Sequence, residues 1–211
     1  MVTTWVVTRS DTMSTASSEP RYPSAEEEGS WTAAWAALDE FLAAFRRRDI
    51  DGIAAAENRL LAIPIDWDAY LNTIRVPRDA GDWAPDLEAI LRRIPDGWGR
   101  WIRVGPGWYP IIVAVDRKLA DLDPDYRVLQ VKEKFGGLRY YWRPRDAEQG
   151  EGPAALGNEL VNAAAALAAS TCEDCGRPGT LVDRQGWLST LCDACATRLG
   201  YSALETEDAP Q

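Results

Sequence analysis

Two cysteine pairs set the strongest constraint on this chain. The stretch "CEDCGRPGTLVDRQGWLSTLCDACATRLG" places Cys172 and Cys175 in one CxxC and Cys192 and Cys195 in another, with sixteen residues between the pairs. Two residues between thiolates let a tight turn aim both sulfurs at one ion. The longer gap lets a second pair complete a tetrahedron, with zinc–sulfur bonds of ~2.3 Å. The 211 residues contain no other cysteine and no histidine, so four sulfurs close the ligand set. No position is left for water or substrate, which predicts one structural Zn2+ ion. Two disulfides do not suit a chain read as intracellular, and a redox CxxC needs no second matched pair.

Gly176, directly after the first pair, suits a turn with positive φ. Thr180–Asp183 and Trp187–Leu191 read as two short strands around "RQG", and the second pair opens the helix "CDACATRLG". Knuckle, hairpin and helix together resemble a treble-clef or zinc-ribbon arrangement. In such a module metal binding contributes on the order of 10–16 kcal/mol, so a large core of its own is unnecessary. Glu173, Asp174, Asp183 and Asp193 outnumber Arg177, Arg184 and Arg198, so the module is net negative. That composition is poorly suited to a phosphate backbone and favours a protein-facing or scaffold role.

Ahead of this module the chain reads as helical. Residues 1–29 have a Ser/Thr/Glu/Pro-rich composition that predicts a disordered tail. Residues 30–150 form a helical domain with a β-hairpin, residues 151–201 a helix leading into the cysteine module, and residues 202–211 an acidic tail. Ser30 is a candidate N-cap for a stripe of Trp31, Trp35, Leu38, Leu42 and Phe45. Further helices are expected over Ile53–Leu61, after a cap at Asp66, from Pro85 to Ile94, and from Pro153 to Ala169. Pro110–Leu122 fits a helix, although its β-branched start would also fit a strand. The fold class is therefore α+β: N-terminal helices, a short antiparallel hairpin sheet and a C-terminal four-cysteine module.

The hairpin carries a short basic segment, "QVKEKFGGLRYYW". The net charge is −10, and only three lysines occur, two of them here at Lys132 and Lys134. A two-residue Gly136-Gly137 turn would pair Phe135 with Leu138, Lys134 with Arg139 and Glu133 with Tyr140. Lys132, Lys134, Arg139, Tyr141 and Arg143 then share one face. Glu133 falls on the apolar face, where it needs an arginine such as Arg100 or Arg103, a tyrosine hydroxyl or solvent. The cationic face fits an ordinary solvated sheet surface. It also fits a patch for an acidic partner, a phosphate or a nucleic-acid strand.

Four segments, "GWYPII", "VLQVKEKFGGLRYYW", "CEDCGRPG" and "GWLSTLCDACA", in this order over residues 107–198, resemble a family of uncharacterised bacterial and phage proteins. The resemblance implies a C-terminal zinc module and carries no activity with it. The cysteine module is also similar, more distantly, to the zinc region of small bacterial regulators that bind RNA polymerase.

No apolar run approaches a membrane span, and the N-terminus lacks a basic n-region, so a cytoplasmic protein is expected. Asp121, Asp123 and Asp125 begin like a calcium loop, but Tyr126 stands where that loop needs glycine. The absence of histidine removes imidazole bases and Ser-His-Asp arrangements. The leading expectation is a non-catalytic, zinc-stabilised interaction protein that binds another protein as an inhibitor, immunity factor or regulator. A nucleic-acid-associated regulator using the basic hairpin is the second, and an enzyme with a site near Glu133 and the Trp-rich loop the third.

Overall fold

The computed structural model describes residues 20–145 and 151–204. Of the tails expected over 1–29 and 202–211, residues 1–19 and 205–211 lie outside them, while residues 25–29 are helical and Ser202–Ala203 form a strand. Helix α1 (Ala25–Arg47) starts six residues earlier than the stripe suggested. Its N-cap is Ser24, not Ser30: Ser24 Oγ accepts from the Glu27 N–H, and the Glu27 carboxylate accepts from the Ser24 N–H. This reciprocal box satisfies two helix-end donors at once. Helix α2 (Ile50–Ala62) follows an Asp49 cap, and α3 (Trp67–Asn72) follows the expected Asp66 cap.

The α1 stripe does not all point inward. Helices α1 and α2 pack through small residues, with Ala34, Ala37, Ala44 and Ala56 buried, and this close approach leaves larger side chains outside. Trp31 is buried, whereas Trp35 is 51% exposed, Leu42 39% and Phe45 64%. Trp67, the first residue of α3, is 63% exposed.

The main core lies further along the chain. Helix α4 (Ala84–Arg92) carries Pro85 in its first turn, where no N–H is needed, and buries Leu87, Ile90 and Leu91. Residues 109–122 are helical: α5 (Tyr109–Leu122) places Ile112, Val115 and Leu119 against the same core. A three-stranded sheet closes over these helices. Its strands are β1 (Ile102–Arg103), β2 (Arg127–Lys134) and β3 (Gly137–Arg143), in the order β1-β2-β3. Strand β1, too short to show alternation in sequence, runs parallel to β2. Helix α6 (Glu151–Ala168) packs on α5 and β3 and contributes Ala164 and Ala168.

The hairpin turn is displaced from the expected one. Phe135 and Gly136 occupy it, both with positive φ (56° and 73°), and Lys134 pairs with Gly137, Lys132 with Arg139 and Val131 with Tyr140. Such a pair of φ values belongs to the tight hairpin turn whose twist matches the strands. Phe135 thereby leaves the apolar row and is exposed. The move changes each cross-strand partner by two residues, and the side-chain period is two, so each strand keeps its faces. Val131, Leu138 and Tyr140 stay inside.

Residues 171–203 form the smaller unit. Strands β4 (Thr180–Arg184), β5 (Trp187–Leu191) and β6 (Ser202–Ala203) are ordered β5-β4-β6, and helix α7 (Asp193–Leu199) lies between β5 and β6 in sequence. Its own buried cluster is only Cys172, Val182, Leu191, Cys195 and Ala196. No helix among the described residues is long and apolar enough to cross a membrane.

Candidate metal centre and cationic sheet face

Local backbone geometry brings the four cysteines together. After Cys172 the chain folds back, with the Gly176 N–H donating to the Cys172 carbonyl (2.8 Å) and Gly176 at φ +75°. Cys192 is the extended N-cap of α7, and Cys195 sits in the helix's first turn. All four sulfurs lie within 4.8 Å of one another, and the Cys175 and Cys192 sulfurs are 3.7 Å apart. A disulfide needs about 2.05 Å between sulfurs. A tetrahedron with ~2.3 Å metal–sulfur bonds has edges of about 3.8 Å. The cluster therefore has the dimensions of a cage for one metal ion.

The surrounding charges treat the thiols unequally. Arg177 reaches two of them, with Nε 3.4 Å from the Cys175 sulfur and Nη2 3.5 Å from that of Cys192. Its guanidinium holds the Cys175 pKa down to about 6. The Cys195 backbone N–H lowers Cys192. Cys195 is pushed the other way, because its thiol donates to the Asp174 carboxylate at 3.0 Å. Arg198 Nη2 donates to the same Asp174 oxygen at 2.5 Å. Burial raises Cys172. A coordinated cation deprotonates its thiols outright, so ligation would make all four equivalent.

Bare backbone clasps this module to the main domain. The Gly107 N–H donates to the Glu173 carbonyl (2.7 Å), the Gly105 N–H to Glu173 Oε1 (2.9 Å), and the Trp108 indole N–H to the Thr171 carbonyl (2.7 Å). A Cβ on Gly107 would lie 2.2 Å from the Cys172 carbonyl oxygen and 2.4 Å from the Gly176 nitrogen, so only glycine fits. On the other side, Thr190 Oγ1 donates to the Gly136 carbonyl (2.7 Å), and a Cβ on Gly136 would lie 2.1 Å from Leu181 Cδ1. "GWYPII", the "FGG" turn, "CEDC" and "WLSTLC" thus meet at one junction.

Glu173, inside the first CxxC, is the functional residue that sequence reasoning missed. In the sequence it counts only toward the module's net charge, yet its carboxylate bridges Gly105 and Ser189 Oγ (3.2 Å) across the junction. Burial raises its pKa. The closely spaced glycines of "VGPGW" were the available signal, since such bare backbone invites close approach.

The six expected partner-binding residues do not all share a surface. Lys132, Lys134, Arg139 and Tyr141 lie on the outward face of β2 and β3, and Arg143 stands at its open end opposite Arg127. Glu133 lies on the other face. Neither Arg100 nor Arg103 neutralises it: Glu133 Oε1 accepts the Gly136 N–H at 2.5 Å and ties down the turn. Arg100 instead bonds Asp96 and the carbonyls of Asn72 and Ile94. The buried carboxylate of the core is Asp116, which accepts from the hydroxyls of Tyr126 and Tyr140 and pairs with Arg93 at 3.2 Å. Of the Trp-rich loop, Trp108 is fully buried and Trp98 is exposed.

Compared with known proteins, the chain matches no family model, no curated protein and no solved structure.

Proposed function

We propose that this chain is a non-catalytic, zinc-stabilised protein-interaction protein of bacterial or phage origin, acting in the cytoplasm as an inhibitor, immunity factor or regulator. Zinc is the ion that suits four thiolates at tetrahedral spacing, and the knuckle, hairpin and helix follow a treble-clef or zinc-ribbon pattern. Membership of the bacterial and phage family that residues 107–198 resemble belongs to the same reading. Four sulfurs leave no open coordination position, which assigns the ion to structure.

One observation carries the interaction role. Helices α1–α3 expose Trp35, Leu61 and Trp67 beside one another on the walls of a single groove. Monomeric proteins seldom leave such contiguous apolar surface uncovered. The test is a tagged pull-down from the native host with and without nuclease, using wild type and Lys132→Ala/Lys134→Ala. A stoichiometric protein that survives nuclease is the expected result. Nucleic acid as the sole retained species, lost with the two lysines, would replace this reading with the nucleic-acid regulator. That second reading has the sorting of Lys132, Lys134 and Arg139 onto one face in its favour.

A further inference from the structure

The outward face of the β1-β2-β3 sheet holds charge that the fold leaves unneutralised. Arg103, Lys132 and Arg139 stand side by side in register across the three strands. Among the described residues none of them, nor Lys134, joins an ion pair. The Lys132 ammonium lies 5.8 Å over the Tyr141 ring, and the Arg103 guanidinium 5.3 Å over Trp101. Neighbouring like charges on one sheet face repel. The chain has a net charge of −10, so acids to pair with them are abundant elsewhere. Their absence from this face leaves room for carboxylates from outside.

Arg103 also belongs to a second feature. Among the described residues it is the one charged residue lining a groove of ≈ 480 Å³ between α1, α2 and α3, whose walls include Trp31, Trp35, Leu61, Trp67 and Tyr70. Beside the groove, the Arg75 guanidinium is stacked 3.9 Å from the Tyr70 ring centroid and 4.4 Å from that of Trp101. Groove and sheet face therefore form one surface, apolar at one end and cationic at the other, joined at Arg103.

We propose that this surface docks an acidic amphipathic segment of a partner protein. Bulky apolar side chains of the segment enter the groove between Trp35 and Trp67, and flanking carboxylates lie along Arg103, Lys132 and Arg139. The proposal rests on the protein-interaction reading and names that partner's chemistry. The groove volume falls within the ~300–1,000 Å³ range of pockets that take organic groups. Arginine forks match carboxylates in a bidentate way. A nucleic-acid strand fits less well: the face offers few free rings for stacking, since Lys132 lies over Tyr141, and the net negative chain repels phosphate at long range.

The test titrates the full-length, metal-loaded protein with a labelled helical peptide bearing Leu and Phe on one face and Glu beside them. A version with Lys for Glu and an oligothymidine strand are the comparisons. Tight binding of the Glu peptide alone is expected, weakened by salt. Arg103→Glu and Trp67→Ala should each lower affinity by about tenfold, with circular dichroism and metal content unchanged. Equal affinity for both peptides, tighter binding of the oligonucleotide, or indifference to Arg103→Glu would overturn the proposal. The host pull-down separates the two levels. A captured protein that binds Arg103→Glu/Trp67→Ala as well as wild type refutes this site and leaves the interaction reading standing. No protein captured by wild type refutes the reading itself.

Discussion

The α1–α2 helical pair and the cysteine module are both small units beside the main core, yet they hold together differently. The helical pair has regular hydrogen bonding and good caps, packs through alanines, and leaves aromatic and branched side chains outside. The module has five buried core residues, two of them cysteines, and leans on backbone contacts with Gly105, Gly107 and Gly136. One unit has apolar surface to spare and the other has too little. On the proposed reading the first receives an apolar segment, while the second brings four cysteines close enough to hold an ion.

The sharpest way to break that contrast is to remove a ligand. Cys172→Ser should take metal stoichiometry from one to zero and withdraw a contribution on the order of 10 kcal/mol from the module. Elemental analysis and amide exchange over residues 171–203 would report it. The α1–α2 amides should stay protected. Acidification should release the metal in the same way, because protons compete with it for the sulfurs.

Next in size is the core between the two units. Asp116→Ala takes the carboxylate from Arg93 and leaves the Tyr126 and Tyr140 hydroxyls only each other, and should cost about 3–5 kcal/mol in urea unfolding. At the clasp, Gly107→Ala forces a methyl into the Cys172 and Gly176 backbone and should cost about 1–3 kcal/mol. Gly29→Ala in α1 meets nothing within 4 Å and should stabilise by about 1 kcal/mol. Phe45→Ser, at an exposed position, should move stability by less than about 0.5 kcal/mol. A large loss there would mean that the α1–α2 surface supports the fold instead of facing a partner.

What the sequence revealed divides along physical lines. The grouping of the four cysteines, the strands around "RQG" and the stripes of α4 and α5 were legible, because spacing and periodicity are local. The sorting of Lys132, Lys134, Arg139 and Tyr141 was legible too, and it survived a wrong turn because the shift preserved strand parity. Hidden were the features set by tertiary approach. Trp35 and Phe45 share the helical period of core residues, but alanine packing decides which side chains are covered. Glu133 stood out on the apolar face, but its partner, the Gly136 N–H, and the contact of Glu173 with Gly105 depend on tertiary and turn geometry. Strand β1 exists only because β2 lies beside it.

The central claim is that one zinc ion, held by Cys172, Cys175, Cys192 and Cys195, completes the module and fixes its junction with the main domain. Hydrogen–deuterium exchange on the purified protein before and after chelation, with metal content measured on the same samples, addresses it most directly. One zinc per chain is predicted. Its removal should deprotect residues 171–203 together with Gly105 and Gly107, and leave α4 and α5 unchanged. Protein that contains no metal yet protects the module fully, or chelation that leaves the junction amides untouched, would contradict the account.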